Sequence, residues 1–241
     1  MLYLSRKDLE QIGARVYKAY KNLPDLKDNA IYSVDPEKLI KDLLKLRLEY
    51  HHLSLDGSVL GVTTPYRGLG YKIFDVADNE DYFMFDGNTI LVESDLKNDI
   101  TQIGRRNFTL AHEAGHQILK MMFPQDYSSE AKLSFCRSQP EKSTSIRDWN
   151  EWQANTLGSI ILMPREIVDG AMFLFGLGKQ IKMLNRVFST EEYTKFSNMA
   201  NFLGVSKKAL AIRLKQLGYV DKYYFDEPYS LLDVFCDMEA T

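Results

Sequence analysis

Residues 105–120 read RRNFTLAHEAGHQILK, and the rest of the chain can be arranged around this stretch. Small and apolar residues recur in and just after it at three- and four-residue intervals, at Phe108, Ala111, Gly115, Ile118 and Met122. This spacing predicts a helix that begins near residue 98 or 101 and ends at residue 122. Because the packed face carries Ala and Gly, we expect a second helix to approach it closely.

The centre of this helix is His112-Glu113-Ala114-Gly115-His116. Residues four apart share one helix face, so His112 and His116 can offer two imidazole nitrogens to a single metal ion. Glu113 lies beside them. The pattern H-E-x-x-H is typical of zinc peptidases, in which the histidines bind Zn²⁺ and the glutamate transfers protons. The alternative is a chance pairing on an ordinary core helix, which a chain with only four histidines disfavours.

Length and composition indicate a globular protein. A chain of 241 residues can bury one large core and a small appendage, and 45% hydrophobic with 26% charged residues is ordinary for a soluble domain. The net charge of −3 gives no reason to expect a nucleic-acid or membrane surface over the whole protein. The first twenty residues carry charges throughout, which excludes a signal peptide or membrane span there. Cys136 and Cys236 are too few for a secreted disulfide framework. We therefore expect a cytoplasmic protein that has no membrane partner.

The segment before the motif helix predicts two helices and a sheet. Residues 5–21 form an amphipathic helix capped by Ser5, and Asp35-Pro36-Glu37 begins a second helix. Five short apolar runs then predict the strands of a small, mainly antiparallel sheet, at residues 48–54, 59–62, 71–74, 82–85 and 89–92. Asp86-Gly87-Asn88 predicts a hairpin turn. The expected fold class is α+β, with this sheet packed on helices that include the H-E-x-x-H helix.

Residues 124–147, after the motif helix, are polar and Ser-rich, and they predict a long loop. Helical periodicity resumes in WNEWQANTLGSIIL, residues 149–162, and ends before Met163-Pro164. Ala154 and Gly158 lie on the same side of this helix as Glu151, so it is the expected partner of the motif helix. Residues 165–217 are nearly all helical in pattern, with breaks at 176–178, 189–190 and 204.

A catalytic zinc site needs a third protein ligand and an open position. His51 and His52 are adjacent, and neighbouring residues on a strand point to opposite faces, so we interpret both as structural. The third ligand is then a carboxylate, with Glu151 as the best-placed candidate and Asp148 as the fallback. Spacing alone does not distinguish Glu151 from a solvated surface acid. Asn155, one turn later, can contact the outer nitrogen of a liganding histidine or the bound carboxylate.

The runs FTLAHEAGHQIL and NEWQANTLGSIILMP resemble the ImmA/IrrE family of zinc metallo-endopeptidases. In that family the H-E-x-x-H helix is followed by a helix with an E-x-x-A-N core that closes in Leu-Met-Pro, and both motifs are complete here. The resemblance covers most of residues 5–165. Gly158 stands where the family usually has Ala.

The resemblance implies a zincin-like metallopeptidase core over residues 1–165, with one Zn²⁺ held by His112, His116 and Glu151. Glu113 would then assist the attack of metal-bound water on a peptide bond. It also implies cytoplasmic regulatory proteolysis, with a helix-turn-helix transcriptional repressor as the protein substrate, often encoded on a mobile genetic element. Histidine and carboxylate ligands also suit Mn²⁺ and Fe²⁺, so the residues leave the metal open.

Residues 166–241 form the expected helical C-terminal region, in which residues 190–217 have helix-turn-helix spacing. Lys207, Lys208, Arg213 and Lys215 would give the second helix a basic face for phosphates. We favour a packed helical hairpin with solvated cations over DNA binding. The alternative function is therefore a DNA- or protein-binding regulator whose metal site is vestigial or structural.

Overall fold

The computed structural model describes residues 3–75, 81–126, 133–138 and 149–224. The chain has the predicted α+β fold, in which sheets pack on helices. The described strands form three separate sheets with parallel and antiparallel pairings, instead of the one mainly antiparallel sheet that was expected. It divides into two compact units, Met1–Pro164 and Arg165–Thr241, and this boundary lies one residue before the expected one.

The first unit begins with helix α1, Arg6–Lys21, capped by Ser5 as predicted. The Ser5 hydroxyl accepts the Asp8 backbone N–H at 3.3 Å, and the Asp8 carboxylate accepts the Ser5 backbone N–H at 2.9 Å. The second predicted helix is short: α2, Pro36–Lys38, continues as one π-helical turn, Leu39–Leu43. The other strands and α-helices described in this unit are β1 Arg47–His51, β2 Val59–Thr63, β3 Arg67–Ile73, β4 Asp81–Asp86, β5 Thr89–Glu93, α3 Ile103–Met122, β6 Ser134–Arg137 and α4 Trp149–Leu162. Two 3₁₀ turns, Ser94–Leu96 and Ile100–Gln102, precede α3.

The strands form a four-stranded sheet in the order β1-β5-β2-β6 and a separate antiparallel pair, β3–β4. Among the described strands of this unit, β1 and β5 pair in parallel and the other pairs are antiparallel. The expected hairpin at Asp86-Gly87-Asn88 is wrong, because β4 pairs with β3 whereas β5 lies between β1 and β2. Gly87 does turn the chain, with φ +82°, but the turn connects two different sheets. A turn motif predicts a change of direction and does not identify the partner strand.

Strand β6 lies within the segment that the sequence predicts to be a loop. It pairs antiparallel with β2, where Cys136 faces Gly61 and Ser134 faces Thr63. A strand of four residues is too short to show a clear alternation of polar and apolar residues. The polar residues on either side of it therefore lead to the prediction of a loop. Of that predicted loop, residues 127–132 and 139–147 lie outside the described part of the chain.

Helix α3 packs against both the sheet and α4. A Cβ atom on Gly115 would lie 3.0 Å from the Ala154 carbonyl oxygen, and one on Gly158 would lie 3.0 Å from the backbone of Ala111 and His112. The two backbones therefore approach so closely that a Cβ atom at either glycine would require a shift of a few tenths of an ångström. This is the close helix pairing that the small residues predicted.

The second unit contains α5 Arg165–Leu174, β7 Ile181–Asn185, α6 Thr190–Phe202, α7 Lys207–Leu217 and β8 Val220–Tyr224. The helical segment predicted between the breaks at 176–178 and 189–190 is wrong, because β7 lies there and pairs in parallel with β8. A short apolar run such as that of β7 is compatible with either a helix or a strand. Its conformation is set by pairing with β8, which lies beyond the segment predicted to be helical. Ser206 caps α7 by accepting the Ala209 backbone N–H at 3.1 Å. Among the described ranges, no helix is long and apolar enough to cross a membrane.

Replacing Gly158 with Val tests the close approach of α3 and α4. The added side chain meets backbone atoms of α3, so we expect a loss of about 1–3 kcal/mol in the free energy of unfolding, as for overpacked cores. Urea denaturation followed by far-ultraviolet circular dichroism measures it. The matched control is Gly170→Val on α5, where a Cβ meets nothing within 4 Å. Equal stability of the two variants would contradict the packing described here.

Candidate metal centre

Helix α3 brings the two motif histidines together inside the protein. His112 and His116 are 1% and 3% exposed, and their Nε2 atoms lie 3.2 Å apart. Their rings are nearly perpendicular, with an angle of 83° and a centroid separation of 4.8 Å. The Nε2 atoms of both imidazoles therefore face the same point in space.

Helix α4 supplies a carboxylate to that point. Glu151 Oε2 lies 3.2 Å from His112 Nε2, and Oε1 lies 3.2 Å from His116 Nε2. Burial opposes ionisation of Glu151, but hydrogen bonds and positive charge from the two imidazoles outweigh it and hold the pKa of this carboxyl well below its usual range. Nitrogen and oxygen lone pairs this close require a positive charge between them, either protons or a metal ion.

The donor spacing fits a zinc-sized ion. Ligand atoms about 2.0–2.1 Å from a tetrahedral metal lie about 3.4 Å from one another. The separations of 3.2 Å between the donors of His112, His116 and Glu151 are close to that value. Two neutral imidazoles and one carboxylate would leave a divalent ion with net positive charge, and they leave its identity open. The fallback ligand Asp148 lies outside the described residues.

Asn155 contacts one of the two histidines. Its Oδ1 lies 3.0 Å from His112 Nδ1, one of the two contacts that the sequence suggested for it. Because an amide oxygen only accepts, Nδ1 carries the proton and the Nε2 lone pair is available to a metal ion. The corresponding Nδ1 of His116 is buried and has no hydrogen-bond partner among the described residues.

Glu113 is fully buried between α3 and the sheet. Its Oε1 accepts the Cys136 backbone N–H at 3.1 Å, and within the described ranges its Oε2 has no hydrogen-bond partner. Burial raises the pKa of Glu113 to about 8; the charge of Glu151 adds to this rise and that of His112 opposes it. The carboxyl can therefore take up and release a proton near neutral pH, as a general acid and base must.

The sheet makes room for this carboxyl at Gly61. A Cβ atom there would lie 2.8 Å from Glu113 Oε1, and the β2–β6 register shifts between Val59 and Gly61. Burial raises the pKa of the neighbouring Cys136 thiol to about 12, and the charge of Glu113 adds to the effect. Neither Gly61 nor Cys136 is predicted as a site residue from the sequence. A glycine inside a strand was the available signal, since it often marks a bulge or a close approach.

His51 and His52 contact carboxylates of the sheet region and take no part in the three-ligand group. His51 Nδ1 lies 2.5 Å from Asp75, and His52 Nδ1 lies 3.0 Å from Glu93. His52, Glu93 and Asp95 are close enough together to hold a cation. However, Glu93 already accepts backbone N–H groups of Leu53 and Asp95, at 2.8 and 3.4 Å, which accounts for its position.

The proposed basic face of α7 requires a correction. Arg213 is completely buried and therefore cannot belong to an exposed phosphate-binding surface. It shares the inner side of the helix with Leu210 and Leu214, because residues three and four apart face the same way. Lys207 and Lys208 are exposed, and the Lys207 ammonium lies 5.5 Å from the Tyr193 ring centroid.

Comparison with protein-family models gives no match, and comparison with curated proteins gives none either. The site is therefore defined by its geometry. His112, His116 and Glu151 form a group that can hold a metal ion, and this group makes the protein a candidate metalloenzyme.

Replacing Asn155 with Ala removes the acceptor that fixes the His112 ring. We expect metal affinity to fall by roughly 10- to 100-fold, as for other residues that orient a liganding histidine. Competition with a chromophoric chelator measures the affinity. Asn155→Asp keeps an acceptor oxygen and should retain most of the binding. Unchanged metal affinity in Asn155→Ala would show that the contact between Asn155 and His112 does not contribute to metal binding.

Proposed function

We propose that this protein is a zinc-dependent endopeptidase that cleaves a cytoplasmic protein regulator, with a helix-turn-helix transcriptional repressor as the substrate. The observation that carries the proposal is the convergence of His112, His116 and Glu151 at 3.2 Å, with Glu113 on the same helix as the histidines. The resemblance of both sequence motifs to the ImmA/IrrE family supports the peptidase chemistry and is the basis for the substrate class.

His112, His116 and Glu151 would hold the ion, and Asn155 would keep the Nε2 lone pair of His112 directed at it. When bound, Zn²⁺ supplies a Lewis acid that polarises a peptide carbonyl and lowers the pKa of water from about 15.7 toward about 7. Glu113 accepts a proton from the attacking water as the new carbon–oxygen bond forms. It then donates that proton to the amide nitrogen as the carbon–nitrogen bond breaks, which yields a carboxylate and an amine.

The burial of Glu113 favours catalysis over the alternative of a vestigial site. A carboxyl with one unpartnered oxygen in the interior lowers stability, since burying an unsatisfied polar group costs about 1–3 kcal/mol. Binding a metal through three other residues does not require this carboxyl. Proton transfer does require it. The burial of Arg213 also removes one of the cations on which the DNA-binding alternative depended.

Replacing Glu113 with Gln tests the proton-transfer role. Gln keeps the shape of the side chain and an oxygen for the Cys136 N–H, so we expect metal content and fold to be unchanged. Loss of the general base should slow cleavage by roughly 10²- to 10⁴-fold. The readout is mass spectrometry of new termini in a proteome-derived peptide library incubated with the zinc-loaded protein.

The control for that experiment is Glu10→Gln on α1, the same chemical change outside the site. It should cleave as the wild type does. Full cleavage by Glu113→Gln would exclude Glu113 as the base, and no cleavage by the zinc-loaded wild type would contradict the peptidase proposal itself.

A further inference from the structure

A second set of metal donors lies on the sheet side of the motif helix. The Cys136 thiol, a nitrogen of His112 and a carboxylate oxygen of Glu113 all lie within 4.8 Å of one another, and all three residues are buried. The thiol itself makes only a weak contact, 3.8 Å from the Thr109 hydroxyl. Its sulfur is therefore available to a stronger partner.

Glu113 gives an independent indication of a ligand at this place. The side chain is completely buried, and Oε2 accepts no hydrogen bond from any residue of the described ranges. Oε1 is bound to the Cys136 backbone N–H at 3.1 Å, so the carboxylate is held against the strand that carries the thiol. A buried oxygen without a hydrogen-bond partner requires an explanation, and a bound ion is one that is compatible with a catalytic role of the same carboxyl.

We propose that His112, Glu113 and Cys136 form a second metal site, which takes a thiophilic divalent cation such as Cd²⁺ or excess Zn²⁺. Thiolate, imidazole and carboxylate together are a donor set that these ions prefer. Binding forms a metal–sulfur bond and releases the thiol proton to solvent. A sulfur and a nitrogen on one tetrahedral zinc lie about 3.6 Å apart. The donors of the second site lie within 4.8 Å of one another, so closing on an ion requires them to move together by at most about 1.2 Å.

The two metal sites compete because both use His112. Its Nε2 faces His116 and Glu151, and its Nδ1 is bound to Asn155. A cation in the second site must therefore either take the nitrogen that belongs to the first site or break the contact that orients the ring. It also makes Glu113 a ligand, so that this carboxylate can no longer accept a proton. This last consequence rests on the proposed function: occupation of the second site inhibits the peptidase.

The site itself can be tested by titrating metal-free protein with Cd²⁺. We expect an ultraviolet thiolate-to-cadmium charge-transfer band in the wild type and its loss in Cys136→Ser. Cys236→Ser, which removes the other cysteine, should keep the band. Glu151→Ala should also keep it, because this change disrupts only the first site. Absence of the band in the wild type, or a full band in Cys136→Ser, would overturn the proposal.

Circular dichroism of Cys136→Ser controls for misfolding. If that variant does not fold, Glu113→Gln provides the test, because it removes a different donor of the same site. It should require more Cd²⁺ for the same band, and an unchanged titration would also overturn the proposal.

Inhibition is measured separately, as peptide cleavage at increasing Zn²⁺, with each variant scaled to its own maximum. Excess Zn²⁺ should inhibit the wild type more strongly than Cys136→Ser, and equal inhibition would contradict the regulatory role. If the cadmium titrations behave as expected but no peptide is cleaved at any Zn²⁺ concentration, the second site stands and the proposed peptidase function fails.

Discussion

The close approach of helices α3 and α4 is the constraint on which the metal centre depends. Its ligands come from two helices, and a carboxylate on one can reach imidazoles on the other only if the backbones nearly touch. Gly115 against Ala154 and Gly158 against Ala111 provide that contact. Glycine in a helix interior costs about 1 kcal/mol relative to Ala. The chain places it where even a Cβ atom would have to displace the facing backbone by a few tenths of an ångström.

Strands β2 and β6 impose a second constraint from the opposite side of α3. Gly61 leaves space for the Glu113 carboxyl, and the Cys136 backbone N–H binds one of its oxygens. The interior raises the pKa of this group to about 8. By contrast, contact with two imidazoles lowers the pKa of Glu151 and keeps this carboxyl ionised. Two carboxyls near the same histidines thus have opposite protonation tendencies, which suits one to proton transfer and the other to metal binding.

The sequence was sufficient for features set by local periodicity. Helical spacing predicted α3 with its two histidines and α4 with its small face, and a capping pattern located the start of α1. Spacing left the role of Glu151 open, because a first-turn glutamate can equally be a solvated acid. Only the packed structure shows its oxygens 3.2 Å from both Nε2 atoms.

Features set by distant partners could not be predicted in the same way. Strands β6 and β7 are short, and their conformation depends on pairing with β2 and β8. The turn at Gly87 reverses the chain but does not determine the strands with which β4 and β5 pair. Arginine usually lies on the surface, but Arg213 is buried on the inner side of α7. The positions of Gly61 and Cys136 beside Glu113 follow from the β2–β6 register, which residue patterns do not encode.

The most direct test of the metal centre is elemental mass spectrometry of purified wild type and Glu151→Ala, with Glu166→Ala as a control for loss of a first-turn acid elsewhere. We expect about one zinc per chain in the wild type and the control. We expect little or none in Glu151→Ala. A folded wild type that binds no metal even after zinc is added back, or a Glu151→Ala variant that keeps its zinc, would contradict this expectation.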